Sequence, residues 1–365
     1  MGTVPDNLPI LYYFCGVKIH EKYISRCIQL AKNALGTTFP NPMVGSVIVH
    51  DGKIIGEGRT SPYGGPHAEV NAINSVKDPS LLKEATLYVT LEPCSHFGKT
   101  PPCADLIIEK KIPKIVIGLL DPHEKVAGQG AAKLRAAGCE VIVGVLEAAC
   151  REHHKRFLTY HTKSRPYIIL KWAETADGFI APLQEKRCNA PQPFWISNPY
   201  SQQLAHRWRT QEQAIMVGTT TVLMDNPKLN ARHWKGKDPI RIVLDRELRI
   251  PDHYHVLDGS ARTIIICGTE PKRPIKEIQY EPIDFSDNLA PQICHILHKN
   301  RILSVIIEGG AQTLQSFIDA GLWDEARIFS GGTYFGAGIA SPKIHRVPFR
   351  KEQITTDSLS YLRHD

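Results

Sequence analysis

Short apolar runs and longer amphipathic stretches alternate along this chain in two successive series. In the first series the apolar runs predict strands at 43–50, 53–58, 86–91, 115–119 and 140–143. The amphipathic stretches predict helices at 21–35, after Pro66, from Cys103 and at 131–137. Asp51-Gly52 separates the first two strands and is typical of a hairpin turn. This order predicts a sheet with helices packed on its faces.

The second series begins beyond a charged stretch at 147–164 that contains His153, His154 and His161. We interpret this stretch as a solvated helix and linker rather than as a second metal site. Beyond it the same patterns predict strands at 167–171, 214–217, 240–244, 263–267, 304–307 and 325–330, and helices at 201–210 and 312–320. No Gly-x-Gly-x-x-Gly follows the first of these strands, so a standard dinucleotide-binding Rossmann domain is not supported. The predicted organisation is an uncertain N-terminal extension at 1–17, a first domain at 18–146, a linker at 147–166 and a second domain at 167–365.

Length, composition and charge narrow the class of protein. At 365 residues the chain is long enough for two domains that each bury a core. No apolar run approaches the ~18 residues of a membrane-spanning helix, and we expect neither a membrane anchor nor a signal peptide. The nine cysteines lack the spacing of a disulfide framework, which favours a cytoplasmic protein. The formal net charge of +7 comes from scattered basic residues, so we expect no nucleic-acid partner.

A histidine, a glutamate and two cysteines form the strongest chemical pattern in the sequence. His67 and Glu69 open a predicted helix, and Cys94 and Cys103 follow a predicted strand. One imidazole and two thiolates fill three positions of a tetrahedral zinc site and leave the fourth for water. Glu69 is too close to His67 along the chain to be a comfortable fourth ligand, but it is well placed to move protons. Because zinc nucleobase deaminases use this arrangement, we expect His67, Cys94 and Cys103 as zinc ligands and Glu69 as general acid and base.

The spacing of the two cysteines departs from the usual Pro-Cys-x-x-Cys, because eight residues separate them. The longer form, Pro-Cys-Ser-His-x-Gly-x-Thr-Pro-Pro-Cys, closely resembles the bifunctional riboflavin-biosynthesis deaminase–reductase family, and so do the segments at 41–45 and 121–130. The resemblance implies a cytidine-deaminase-like α/β/α sandwich that deaminates a pyrimidinone ribosyl 5′-phosphate. The substrate-binding residues that it implies in this domain are Asn41, His96, Lys99 and Asp121.

The second half resembles the reductase half of the same family, and the resemblance covers nearly all of residues 19–350. Its elements are Asp177-Gly178, the run at 221–232, Val243-Leu244-Asp245 and the turn Glu308-Gly309-Gly310. The resemblance implies a dihydrofolate-reductase-like α/β domain that uses NADPH to reduce the ribosyl side chain to a ribityl chain. The residues that would contact NADPH are Ala173, Trp195, Thr221, Asp225, Gly310, Ala311, Gln312, Thr313, Leu314, Gln315 and Ser316. Those that would contact the substrate are Arg209, Leu229, Arg232 and Glu308, and a guanidinium suits phosphate because it donates paired hydrogen bonds.

Several alternatives stay open on the sequence alone. Pro193 replaces a serine that is common in the family and offers neither a hydroxyl nor an N–H, so one alternative is a deaminase with an impaired reductase half. A tRNA or polynucleotide deaminase would share the zinc centre, but it leaves the second half unexplained. A structural zinc site would need a fourth protein ligand, for which His96 is the candidate. The resemblance also implies a homodimer or homotetramer, and it leaves Asp177 and Glu308 as candidate proton donors in the reductase.

Overall fold

The chain folds into two compact units, Met1–Lys163 and Ser164–Asp365, which we call the first and the second unit. The computed structural model describes residues 8–97, 101–122, 127–187 and 190–364. No helix within these ranges has both the length and the apolar composition needed to cross a lipid bilayer.

Within the described residues, the first unit is built on a five-stranded sheet. The helices of its described residues are α1 (Leu8–Lys32), α2 (Ala68–Asn74), α3 (Cys103–Glu109), α4 (Gln129–Ala136) and α5 (Glu147–Lys163), and a short 3-10 turn spans Pro79–Glu84. Its strands are β1 (Gly45–His50), β2 (Lys53–Arg59), β3 (Thr86–Val89), β4 (Lys114–Ile117) and β5 (Glu140–Val143). The strand order is β2-β1-β3-β4-β5, with β1 antiparallel to both neighbours and β3, β4 and β5 parallel.

The predicted hairpin at the start of the sheet is present. His50 pairs with Lys53, and the two residues between them, Asp51 and Gly52, have φ of 47° and 71°. A two-residue turn that matches strand twist needs positive φ at both positions, and an Asp-Gly pair adopts this conformation readily. The local sequence therefore sets the register of β1 and β2.

Helices cover both faces of this sheet. Val47 and Ile48 are successive strand residues, so their side chains point to opposite faces, and both are fully buried. The core that encloses them takes side chains from all five helices, which include Ile24, Ala72, Ile107, Leu134 and Cys150. The predicted arrangement of a sheet between helical layers is confirmed.

Helix α5 occupies the stretch that the sequence predicts as a solvated helix and linker. Its His153 and His154 are buried instead, and their Nε2 atoms lie 2.8 Å from the Met43 carbonyl oxygen and 3.1 Å from Thr90 Oγ1. The histidines act here as core side chains of the first unit, which a reading based on charge alone does not anticipate. The structure also begins α1 at Leu8, inside the segment predicted as an N-terminal extension.

The described part of the second unit contains a nine-stranded sheet and a separate two-stranded one. Its helices are α6 (Pro199–Gln211), α7 (Thr219–Asp225), α8 (Leu289–Lys299) and α9 (Ala311–Asp319). The strands of the large sheet are β6 (Tyr167–Glu174), β8 (Ala214–Gly218), β9 (Ile240–Leu244), β10 (Thr263–Cys267), β11 (Ile278–Pro282), β12 (Ser304–Ile307), β13 (Glu325–Ser330), β15 (Arg350–Ile354) and β16 (Asp357–Arg363). The small sheet pairs β7 (Phe179–Pro182) with β14 (Gly338–Ala340).

The order in the large sheet is β11-β10-β9-β8-β12-β6-β13-β16-β15. The strands from β11 to β13 are parallel, and β16 and β15 are antiparallel. Successive residues of β6 enter different cores, since Ile168 and Leu170 pack on one face and Tyr167 and Ile169 on the other. Buried clusters therefore cover both faces of the large sheet. The carboxyl ends of β6, β8, β9 and β12 meet at one edge of it, and ligands of open parallel sheets bind at this edge.

Candidate functional site

Helix α2 brings His67 and Glu69 to one end of the first sheet. His67 occupies the N-cap position, and Glu69 lies in the first turn and is only 3% exposed. The helix can approach β2 closely because Gly58 lacks a side chain: a Cβ there would lie 2.2 Å from the Ala68 carbonyl oxygen. Packing on β2 thus fixes the position of both side chains.

The two cysteines complete a compact set of donors around His67. Cys94 lies in the loop after β3, and Cys103 begins α3. The Sγ atoms of Cys94 and Cys103 lie 3.7 and 3.3 Å from His67 Nδ1, and the three donor atoms all lie within 4.8 Å of one another. One nitrogen and two sulfurs at these separations fit tetrahedral zinc with an open fourth position.

Burial and hydrogen bonding shift the pKa values of the two cysteines and of Glu69. The hydrogen bond between the two thiols lowers the pKa of Cys94 and raises that of Cys103. Burial, together with the nearby charge of Cys94, raises the pKa of Glu69 to about 7. A carboxyl with a pKa near neutrality is suited both to accept a proton and to return it.

Glu92 is a functional candidate that the sequence reading did not single out. It is 6% exposed, and its carboxylate accepts hydrogen bonds from the backbone N–H groups of Asp121, Gly128 and Ala131 at 3.0, 2.9 and 2.9 Å. The sequence does contain a signal for this role: Glu92 is a charged residue at the end of an apolar strand, directly before Pro93-Cys94. The carboxylate ties the loop that carries Asp121 to the loop that carries Cys94.

The structure describes two of the three other substrate residues predicted in the first unit. Asn41 is half-buried and His96 is exposed. Lys99 lies outside the described residues. Within the described part of the chain, His96 does not belong to the group of metal donors. The geometry therefore gives no support to a closed four-ligand zinc site.

The second unit holds a cavity of about 830 Å³ at the carboxyl ends of its parallel strands, a size typical of ligand pockets. Most of the residues predicted to contact NADPH or substrate line it. They are Ala173, Trp195, Arg209, Thr221, Asp225, Leu229, Arg232, Glu308, Gly310, Ala311, Gln312, Thr313 and Leu314. Pro193 lines it as well.

Gln315 and Ser316 are the exceptions, since neither lines the cavity. Gln315 Nε2 donates to Asp319 Oδ1 at 2.7 Å, and Ser316 Oγ donates to the Thr313 carbonyl oxygen at 2.8 Å. Both residues lie on α9, whose first turn alone borders the cavity. A run of consecutive helical residues cannot present every side chain to one site.

Two predicted substrate residues form a buried ion pair. Arg209 Nη2 donates to Glu308 Oε2 at 2.6 Å, and Arg209 Nε donates to Glu308 Oε1 at 3.1 Å. Lys171 Nζ lies 3.8 Å from the same carboxylate. Burial alone would raise the pKa of Glu308, but the two cations outweigh it and lower the pKa to about 2. The sequence analysis did not predict Lys171 as a site residue, although a lysine at the end of an apolar run can indicate a functional position.

A second ion pair engages a residue predicted to bind the cofactor. Arg187 Nη2 donates to Asp225 Oδ1 at 2.5 Å and also to the Gln192 carbonyl oxygen at 3.0 Å. Burial raises the pKa of Asp225, while Arg187 acts in the opposite direction. Asp177, in contrast, does not line the cavity. It accepts hydrogen bonds from Thr175 and from backbone N–H groups at 335–336, which makes it a turn residue.

The turn from β12 into α9 leaves room for a phosphate-bearing cofactor. Gly310 has a φ of 74°, and a Cβ there would lie 3.6 Å from Thr221 Oγ1 and 3.8 Å from Thr313 Oγ1, two atoms of cavity-lining residues. The first N–H groups of α9 follow directly and have no partner within the helix. A helix N-terminus of this kind favours a pyrophosphate, so the residues present fit NADPH.

Comparison with known proteins agrees with both halves of this description. Residues 17–119 match the cytidine and deoxycytidylate deaminase zinc-binding region, and residues 166–362 match the RibD C-terminal domain. The riboflavin biosynthesis protein RibD of Aquifex aeolicus is 40% identical over 327 residues, which cover 88% of this chain and 90% of that protein. The chain belongs to the RibD family. The RibD of Escherichia coli is 33% identical over 334 residues, covering 87% of this chain and 89% of that protein.

Solved RibD structures share the fold over both units. The diaminohydroxyphosphoribosylaminopyrimidine deaminase/5-amino-6-(5-phosphoribosylamino)uracil reductase of Thermotoga maritima is 37% identical and has a TM-score of 0.85, with 95% of this chain and 99% of that chain covered. RibD of Acinetobacter baumannii is 30% identical, with a TM-score of 0.86 and the same coverage. Membership of the RibD family confirms the predicted fold class, the two enzyme halves and the two cofactors, zinc and NADPH.

Proposed function

We propose that this chain catalyses two successive steps of riboflavin biosynthesis. The first unit deaminates 2,5-diamino-6-ribosylamino-4(3H)-pyrimidinone 5′-phosphate, and the second reduces the ribosyl side chain of the product to a ribityl chain. The observation that carries the proposal is the grouping of His67, Cys94 and Cys103 beside the buried Glu69. The cavity of the second unit, which most of the predicted NADPH and substrate residues line, supports the second step.

In the deamination, the first unit positions a water against the amino-bearing ring carbon. His67, Cys94 and Cys103 would hold a zinc ion, which as a Lewis acid would make water a nucleophile near neutral pH. Glu69 accepts the two protons of the attacking water in turn and delivers one to the ring nitrogen and one to the departing amine, so that ammonia leaves. Its raised pKa suits both directions of transfer. The Glu92 carboxylate keeps Asp121 in place through the backbone of its loop.

In the reduction, the residues of the second unit would hold NADPH, which would supply the hydride for C1′ of the ribose, while solvent supplies the proton to the nitrogen of the open-chain imine or its equivalent. The residues of the second unit bind and orient the reactants. The start of α9 would receive the pyrophosphate, and Arg232 would receive the substrate phosphate. Arg209 is committed to Glu308, and this pair forms one polar wall of the cavity. Glu308 is ionised above a pH of about 2, which argues for a positioning role.

The proposal also covers the cellular compartment and the oligomeric state of the protein. The thiolate ligands are compatible with a reducing cytoplasm, where we place the enzyme. We also propose a homo-oligomer, either a dimer or a tetramer. The domain limits of 18–146 and 167–365 and the individual roles of the site residues are part of the same proposal.

The decisive experiment uses the purified, zinc-replete protein and the diaminopyrimidinone ribosyl phosphate, with and without NADPH. Ammonia release without NADPH, followed by oxidation of NADPH only after deamination, is the expected result. Ammonia release without oxidation would leave a deaminase with an impaired reductase half and would point to Pro193. If neither signal appears, the proposal is wrong and a polynucleotide substrate is the next to test.

A further inference from the structure

Residues 41–45, which we call the entry segment, lead into β1 and carry Asn41, a residue predicted to bind the deaminase substrate. Residues 41–44 belong to no helix or strand. Pro42 also lacks a backbone N–H. Because backbone polar groups inside a protein are normally paired, the place of such a segment depends on hydrogen bonds from other elements.

Two buried threonines hold the end of the entry segment. Thr60 Oγ1 accepts the Val44 N–H at 2.9 Å, and the Thr60 N–H donates to the Val44 carbonyl oxygen at 2.9 Å. Thr90 Oγ1 accepts the Gly45 N–H at 3.2 Å. Gly45 lies so close to α1 that a Cβ there would be 1.9 Å from the Cys27 carbonyl oxygen. These contacts fix the last two residues of the segment, and the residues before them need another partner.

His153 and His154 of α5 supply this partner. His153 Nε2 lies 2.8 Å from the Met43 carbonyl oxygen, and it must be the donor because a carbonyl oxygen only accepts. His154 Nε2 lies 3.1 Å from Thr90 Oγ1, the same hydroxyl that binds Gly45. The two imidazole rings pack edge to face, with their centres 4.7 Å apart. The histidine pair therefore holds the entry segment both directly and through a threonine.

Hydrogen bonding, rather than packing alone, explains the two imidazoles at this place. His153 is 9% exposed and His154 2%, and burial lowers the pKa of both rings, so they are neutral near pH 7. A leucine would fill the space without burying a polar atom. It would also leave the Met43 carbonyl oxygen without this donor, and the segment would move to reach another partner or water. Because Asn41 lies two residues before Met43, such a movement displaces its side chain.

We propose that His153, supported by His154, is a positioning residue of the deaminase that holds Asn41 in place to bind the substrate. The inference rests on the proposed deamination and extends it to α5, an element that contributes none of the metal donors found among the described residues. His153 acts through the backbone of the entry segment. Its loss weakens binding of substrate and transition state alike, which raises KM and leaves kcat unchanged.

Steady-state ammonia release by the full-length, zinc-replete protein tests this role. His153→Leu removes the donor, whereas His153→Gln keeps an N–H at the place of Nε2. Thr159→Val is the matched control, because Thr159 lies on the same helix and is 8% exposed. We expect KM to rise about five- to tenfold in His153→Leu, with kcat within about twofold, and to stay within about twofold in the other two variants. Equal KM values in His153→Leu and His153→Gln, or an equal rise in Thr159→Val, would overturn the inference.

A double-mutant cycle with Asn41→Ala shows whether His153 acts through Asn41. Asn41→Ala alone should raise KM, and adding His153→Leu to it should raise KM by less than about twofold more. Residues that act independently have additive free energies, so their effects on KM multiply. A multiplied effect in the double variant, or a normal KM in Asn41→Ala, would overturn the inference. If His153→Leu does not fold, His153→Phe takes its place, since it keeps a ring without a donor.

Amide hydrogen exchange measures the position of the entry segment without any activity. The N–H groups of Val44 and Gly45 should exchange at least about fivefold faster in His153→Leu and as in wild type in His153→Gln, while those of β4 stay unchanged. If wild type releases no ammonia but the exchange changes in this way, the proposed deamination fails and the contact of His153 with the segment stands. If wild type releases ammonia and neither exchange nor KM changes in His153→Leu, only the inference fails.

Discussion

Glu308 Oε2 lies 2.6 Å from Arg209 Nη2, so two side chains predicted to contact the substrate separately bind each other. The pair is buried and joined by Lys171. An arginine whose donors are already used by a carboxylate is a poor phosphate ligand. Arg232, which contacts only the side-chain oxygen of Asn230 at 3.2 Å among its described hydrogen bonds, is the better candidate for that role.

The Glu308 carboxylate should make the stability of the second unit dependent on acid pH. Its pKa is lowered from 4.5 to about 2 in the folded protein, so its contribution is present above pH 4.5 and is lost as the pH falls toward 2. Thermal unfolding of wild type and Glu308→Gln should therefore converge as the pH is lowered through this window. Near neutral pH the variant should be destabilised by about 3–5 kcal/mol, because Arg209 and Lys171 lose their partner. A constant difference at all pH values would contradict this account.

Glu69→Gln should separate proton transfer from metal binding. The amide cannot accept the proton of water, so we expect ammonia release to fall by ~10²- to 10⁴-fold. Zinc content, measured by atomic spectroscopy, should stay at one ion per chain because Glu69 is not a ligand. Reduction of the deaminated substrate serves as the internal control. A loss of less than about tenfold would remove Glu69 from the proton-transfer step.

Cys103→Ser should abolish zinc binding and deamination while leaving the reduction of deaminated substrate unchanged. A hydroxyl is a much weaker zinc donor than a thiolate. Cys139→Ser is the control, because Cys139 is half-buried and its Sγ donates to the Ile112 carbonyl oxygen, and Cys139 does not belong to the group of metal donors. Zinc analysis and both activities are measured on each variant. Equal zinc loss in the two variants would show a general effect on folding.

Many strands and helices could be predicted from the sequence, because local patterns of residues indicate them. The strands at 304–307 and 325–330 have the predicted limits, since uninterrupted apolar runs mark strands that are buried on both faces. The metal donors are equally visible, because unusual residue types occur at fixed spacings. The pairings of Arg209 with Glu308 and of Arg187 with Asp225 span 99 and 38 residues, and no local pattern reveals which charge meets which. A helix was predicted in the stretch of α5, but the burial of its His153 and His154 was not, because histidine is a polar residue type and no local pattern reveals its contacts.

Asp225→Ala and Arg187→Ala test whether the carboxylate itself contacts NADPH. If it does, Asp225→Ala should raise the dissociation constant for NADPH by about tenfold, whereas Arg187→Ala should leave it unchanged or lower it by freeing the carboxylate. Fluorescence titration with NADPH measures both. An unchanged dissociation constant in Asp225→Ala would make this residue only the partner of Arg187.

Glu92→Gln should disturb the first unit without removing its metal. The carboxylate accepts three backbone N–H groups, and an amide offers one oxygen in place of two. We expect a higher KM for the deaminase substrate, since the loop that carries Asp121 loses its anchor, and unchanged zinc content. Asp105→Asn, a change at a more exposed carboxylate that pairs with Lys133, is the control. A normal KM in Glu92→Gln would show that the loop is held by other contacts.

The three zinc donors come from different parts of the first unit: the start of α2, the loop after β3 and the start of α3. An ion bound to all three links these segments, and the free energy of binding then contributes to folding as well as to chemistry. Zinc scarcity in a cell should therefore shorten the lifetime of the protein, because segments released by metal loss become accessible to proteases. The supply of one trace metal would in this way set the amount of enzyme as well as its turnover.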